Sequence, residues 1–124
     1  MCLVGDIGLP HVPEQRARLE TFLHRCGEMF DQVFYVAGNH EYYNNTVSLA
    51  HTDALLTEIC AAAGANVRFL QRTSLLLSGT NVRVLGATLW SSVQRGAPMI
   101  ERYLNDYHKI CGLDGAPLVR PLPI

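Results

Sequence analysis

Two short polar clusters in this sequence have side chains that can do chemistry. The first is Asp6, directly after Gly5 in "LVGDIG"; the second is Asn39, His40 and Glu41, directly after Gly38 in "VFYVAGNHEYY". A carboxylate, an amide oxygen and an imidazole are hard-to-intermediate donors that suit Mn, Fe, Zn or Mg and not soft copper. One aspartate can bridge two divalent ions, and ions about 3.5–4 Å apart can clamp both oxygens of an in-line phosphoryl displacement. An imidazole can give or take a proton near neutral pH. Together these residue types point to metal-assisted hydrolysis. Gly5 and Gly38 each precede the polar residue, where a missing Cβ lets the chain turn sharply or approach a ligand.

Chemistry split between two segments needs elements that bring them together. "MCLVGD" reads as a short buried strand ending at Gly5-Asp6, and "IGLPHVP" as a loop, with Pro13 suited to the first turn of a helix. From Glu14 to Phe30, Leu19, Phe22, Leu23, Cys26, Met29 and Phe30 recur at helical spacing. Arg16, Arg18, Glu20, Arg25 and Glu28 fall mainly on the other side. The strand Val33 to Val36 completes a β-α-β unit, whose strands lie parallel with a right-handed crossover. Ligands bind outside the carboxyl ends of such strands. Both polar clusters follow such an end, and neighbouring strands are only about 4.8 Å apart, so the two clusters converge on one site.

A second helix is expected from about Thr46 to Ala63, with Leu55, Leu56, Ile59, Cys60 and Ala63 on one side and Gly64 as a left-handed C-terminal residue. "VRFL", "SLLL" and "VRVLGATLW" are β-type runs, with turn residues in "SGTN", and read as a meander or hairpin continuing the sheet. Pro98 starts a short helix carrying Ile100, Tyr103, Leu104 and Tyr107. The chain is otherwise irregular from about residue 91, and "CGLDGAPLVRPLPI" is too rich in proline and glycine for regular structure. The expected fold class is α/β, in one domain over 1–124, with no internal repeat or linker.

Composition agrees with that reading. The 124 residues suit one core, and 48% apolar with 17% charged residues fits neither a disordered segment nor a membrane protein. No apolar run approaches the ~20 residues needed to span a bilayer, and no basic segment with a cleavage site opens the chain. A net charge of −1 argues against a nucleic-acid binder. Cys2, Cys26, Cys60 and Cys111 never form a close pair, which argues against structural zinc and for buried, reduced thiols in a cytoplasmic protein. His11, His24, His51 and His108 read as surface or packing residues, with His11 near the site by virtue of its loop. The spacing in "GDIGLP" matches neither a P-loop nor a dinucleotide fingerprint.

"LVGDIG" and "VFYVAGNHEYY" resemble the GD and GNH[E/D] motifs of the calcineurin-like metallophosphoesterases. The segment "VRVLGATLW" is similar to a strand that often follows in that family, and "LNDYHKI" to a loop of some members. The resemblance covers most of the chain. It implies an α/β sandwich and two divalent ions, Mn, Fe or Zn, acting on a phosphate-ester substrate. Asp6 would then be the carboxylate bridging the metals, and Asn39 would bind the second metal near the phosphate. His40 would be the catalytic residue that contacts phosphate oxygens or protonates the leaving group. Glu41 would tie down the loop or orient His40, with Gly5 and Gly38 as loop residues.

The family pattern has further parts, a D-x-H motif on a preceding strand and a lone histidine and a GHxH motif on later strands. None of these is present here. The expectation is a partial phosphoesterase domain, weakly active or inactive and marginally stable on its own. The competing expectation is a non-catalytic derivative that binds a partner or a phosphorylated ligand.

Overall fold

A computed structural model describes residues 1–90 and 97–112. Three strands, β1 (Cys2–Val4), β2 (Val33–Val36) and β3 (Val67–Phe69), form a parallel sheet in the order β1-β2-β3. Helix α1 (Pro13–Met29) connects β1 to β2, and α2 (Leu49–Ala63) connects β2 to β3. Both helices pack on the sheet face that carries Leu3, Val33, Tyr35 and Val67. Leu19, Leu23 and Cys26 of α1 and Leu56, Ile59 and Cys60 of α2 fill the core there. The α/β class and the parallel β-α-β start are therefore present.

Helix α1 begins with Pro13 at its first position, where the missing N–H costs nothing. Its exposed side carries the pairs Glu14–Arg18 and Arg16–Glu20, worth a few tenths of a kcal/mol each. The buried stripe is narrower than the spacing predicts, because Phe22, Met29 and Phe30 remain exposed. Strand β1 also differs from the expected buried strand. It lies at the sheet edge, and only Leu3 is buried, with Cys2 and Val4 exposed. Cys26, Cys60 and Cys111 are buried free thiols, as expected, and Cys2 is not.

Helix α2 starts at Leu49 and not near Thr46, for a local reason. Asn44 Oδ1 accepts the N–H groups of Thr46 (3.1 Å) and Val47 (2.7 Å), which holds that stretch in a turn. Ser48 then caps the helix by accepting from the His51 N–H. At the other end Gly64 takes φ 156° and ψ 154°, a positive φ that favours glycine but not the expected left-handed helical turn.

Strand β3 continues the sheet, but β4 (Thr73–Leu76) and β5 (Arg83–Gly86) form a separate two-stranded antiparallel hairpin. After Leu70 N–H donates to Tyr35 O, Arg72 takes φ 52° and turns the chain off the sheet. Gly86 returns the hairpin against Leu70 and Val36. The short helix expected at Pro98 is present as α3 (Ala97–Tyr103), but it ends before Leu104, and Tyr107 lies on a separate short helix, α4 (Asp106–Lys109). Residues 91–96 and 113–124, expected to be irregular, lie outside the described residues.

Candidate functional site

The register Val4↔Val36 makes Gly5 and Ala37 leave the sheet side by side. Gly5 (φ 88°) and Asp6 (φ 55°) then take positive φ in succession, a conformation that glycine adopts freely and aspartate tolerates. The two loops touch backbone to backbone. A Cβ on Gly5 would stand 2.6 Å from Gly38 Cα, and one on Gly38 would stand 2.8 Å from the Asp6 nitrogen. Both positions need glycine for room, and Gly5 also for its φ.

Glu41 welds these loops together. It is fully buried, and every hydrogen bond to its carboxylate comes from a loop or strand donor. Oε2 accepts from Gly38 N–H (2.7 Å) and Asp6 N–H (3.0 Å). Oε1 accepts from Ile7 N–H (2.6 Å), from Tyr35 Oη–H (2.9 Å) and, at long range, from Gly8 N–H (3.4 Å). Three successive N–H groups, those of Asp6, Ile7 and Gly8, thus turn to one side and form a concavity suited to an anion, which the side chain of Glu41 fills. Of the two roles expected for Glu41, tying down the loop is the one its contacts perform.

The three remaining site residues stand around this weld. Asp6 is exposed, and its Oδ1 accepts from the His40 N–H at 3.1 Å. His40, on a single 3-10 turn over His40–Tyr42, is exposed, with its ring 4.6 Å from that of Tyr43. Asn39 is half-buried, and its Nδ2 donates to Asp106 Oδ1 (2.8 Å) and to Tyr43 Oη (3.2 Å). Tyr43 Oη in turn donates to the same Asp106 oxygen (2.6 Å), and the Lys109 ammonium sits 5.2 Å above the Tyr43 ring. Burial, the bond to Asp106 and its negative charge push the Tyr43 hydroxyl up to about 12, so it remains a proton donor around neutrality.

A partly buried polar network supports the loop from behind. Tyr42 Oη donates to Asp53 (2.7 Å) and accepts from Gln71 Nε2 (2.9 Å), while Gln71 Oε1 accepts from Thr88 N–H (2.9 Å). The Thr88 hydroxyl donates to Ala37 O (2.7 Å), which ties the hairpin to the end of β2. Burial raises the pKa of Asp53 and that of Tyr42. Sequence reading assigned no role to Tyr35, Tyr42, Tyr43 or Asp106, although the tyrosines lie in "VFYVAGNHEYY" and Asp106 in "LNDYHKI".

The other histidines have partners of their own. His11 donates to or accepts from Thr52 Oγ1 (2.8 Å) and stacks on His51, with ring centroids 6.2 Å apart. Burial, His51 and Arg16 lower the His11 pKa. His24, His51 and His108 are exposed. Among the described residues, no three His, Cys, Asp or Glu side chains come together as a metal-holding group. The donor set at the strand ends fits one side of a metal centre, with an exposed carboxylate and an amide oxygen at two adjoining loops. It does not by itself close a two-ion centre.

No family model matches the chain, and no solved structure matches it. An uncharacterized protein of Acanthamoeba polyphaga mimivirus is 26% identical over 121 residues, which is 97% of this chain and 42% of the viral protein. The chain therefore spans less than half the length of that relative. Among the described residues, no helix is long and apolar enough to cross a membrane.

Proposed function

We propose that this chain carries one side of a metal-dependent phosphoesterase site, in a partial domain of the calcineurin-like type. One observation carries the reading. The GD and GNHE loops are joined at adjacent parallel strand ends, with the backbone of His40 bonded to the carboxylate of Asp6 and Glu41 buried beneath both. Asp6 and Asn39 would hold the metal through a carboxylate and an amide oxygen. A divalent ion bound there would supply charge stabilisation for a phosphoryl oxygen. His40 sits beside Asp6 on a turn that its own N–H anchors, which leaves its imidazole in solvent to meet a phosphate oxygen or a leaving group. Glu41 holds the loops, and Gly5 and Gly38 allow their contact. The substrate is a phosphate ester.

A second reading, a non-catalytic derivative that binds a partner or a phosphorylated ligand, draws on the D-x-H and GHxH ligand motifs that the sequence does not show. Metal content separates the two. The phosphoesterase reading expects the purified chain, loaded with Mn²⁺ and desalted, to retain metal by elemental analysis, and Asp6→Ala to lose it. A chain that retains none favours the binding module. Turnover of p-nitrophenyl phosphate or its diester is expected to be weak or nil; strong Mn²⁺-dependent turnover abolished by Asp6→Ala would refute the expectation of a partial site.

A further inference from the structure

We propose that Asp106 is a positioning residue for Asn39, acting with Tyr43 to fix which end of the Asn39 amide faces the two strand-end loops; this rests on the phosphoesterase reading above. A carboxylate oxygen only accepts hydrogen bonds, so the end of the amide 2.8 Å from Asp106 Oδ1 is the NH₂ group. The same NH₂ group lies 3.2 Å from Tyr43 Oη, and Tyr43 donates to the same carboxylate oxygen at 2.6 Å. The three side chains close a ring of hydrogen bonds that holds the NH₂ end of the amide. The amide oxygen is left on the opposite branch of Cγ.

An asparagine held by nothing has a broad, roughly two-fold χ2 and presents either end. For a cation the two ends are not equivalent, because Oδ1 is a donor atom to the metal and the NH₂ group repels it. Asp106 removes that ambiguity. It is also placed firmly enough to do so. It opens α4, 67 residues beyond Asn39, and α4 is held at its far end by Asn44 N–H donating to Lys109 O (2.8 Å) and by the buried Ile110. The "LNDYHKI" segment thereby reaches back to the GNHE loop, which gives it a purpose in the site.

The test uses the ¹⁵N-labelled full chain. The side-chain NH₂ pair of Asn39 is identified by its disappearance in Asn39→Asp, and Mn²⁺ affinity is read from the EPR signal of free Mn²⁺. In the wild type the two protons should be resolved, and the one directed at Asp106 protected from exchange. Asp106→Ala should abolish that protection and weaken Mn²⁺ binding about 10–100-fold, the usual effect of removing a group that orients a metal ligand. Asp106→Asn retains an acceptor oxygen and should restore most of both. Tyr43→Phe, which removes one acceptor with little change in shape, should fall between and decides the matter if Asp106→Ala does not fold. Unchanged Asn39 protons, or unchanged Mn²⁺ affinity, in folded Asp106→Ala or Tyr43→Phe would overturn the positioning role. A wild-type chain that binds no Mn²⁺ would instead sink the phosphoesterase reading, and the Asn39 protons would still decide whether Asp106 orients the amide.

Discussion

Replacing Glu41 by glutamine changes one oxygen to NH₂ and leaves the shape nearly intact, so it isolates the hydrogen bonding of the weld. Whichever way the new amide turns, it sets a donor against backbone donors. With the nitrogen in place of Oε2 it faces the N–H groups of Gly38 (2.7 Å) and Asp6 (3.0 Å). With the nitrogen in place of Oε1 it faces the N–H groups of Ile7 (2.6 Å) and Gly8 (3.4 Å), while Tyr35 can reverse its hydroxyl to accept. The second arrangement costs less, because the Gly8 contact is long. A lost bond to a charged acceptor is worth about 1.5–3 kcal/mol, and the cheaper arrangement loses one short bond and one long one, so Glu41→Gln should lower stability by about 2–4 kcal/mol. That is a large share of the ~5–15 kcal/mol typical of a domain. Urea denaturation followed by circular dichroism, with Trp90 fluorescence as second probe, measures it. Tyr35→Phe, which removes one of the bonds to Glu41, should cost about 1.5–3 kcal/mol. A Glu41→Gln protein within about 1 kcal/mol of wild type would show that the carboxylate does not hold the loops, since only changes outside such features are that mild.

Three other outcomes are expected. Gly38→Ala would set a Cβ 2.8 Å from the Asp6 nitrogen and 2.9 Å from its Cγ, so it should cost about 1–3 kcal/mol and weaken Mn²⁺ binding with it, both measurable on one preparation. Burial raises the hydroxyl pKa values of Tyr35 and Tyr42 above the ordinary value of about 10, so their contribution to stability is complete below that pH and falls as pH rises above it. Phenolate absorbance of these two should therefore appear together with alkaline unfolding, and early titration in a still-folded protein would contradict their burial. Of the four cysteines, exposed Cys2 should be the one that a thiol reagent modifies quickly in the native protein. Burial pushes the Cys60 thiol up to about 12, and Cys2→Ser should remove the fast phase.

The parts of this fold that repeat were legible in the sequence. Leu19, Leu23 and Cys26 mark α1, the apolar run Val33–Val36 marks β2, and a helix between two strands implies a parallel pair with both loops at one end. What was not legible depends on single contacts. Helix α2 starts late because Asn44 and Ser48 bond to nearby backbone, a competition that periodicity does not register. The hairpin separates from the sheet because one residue, Arg72, takes a positive φ. Edge exposure of β1 follows from strand order, and nothing in "CLV" differs from a buried strand. In the candidate site, Asp6, Asn39 and His40 stood out by residue type and position. The buried acceptor role of Glu41 and the pairing of Asn39 with Asp106 could not, since donors to a carboxylate and partners 67 residues away leave no spacing to read.

The proposed site requires that Asp6 and Asn39 share a cation. Paramagnetic broadening of backbone amide signals on addition of Mn²⁺ locates a bound ion residue by residue. Broadening should centre on Asp6, Asn39 and His40 and be absent in Asp6→Ala. Broadening centred on the His11–His51 pair, or a pattern at the strand ends that survives Asp6→Ala, would contradict it.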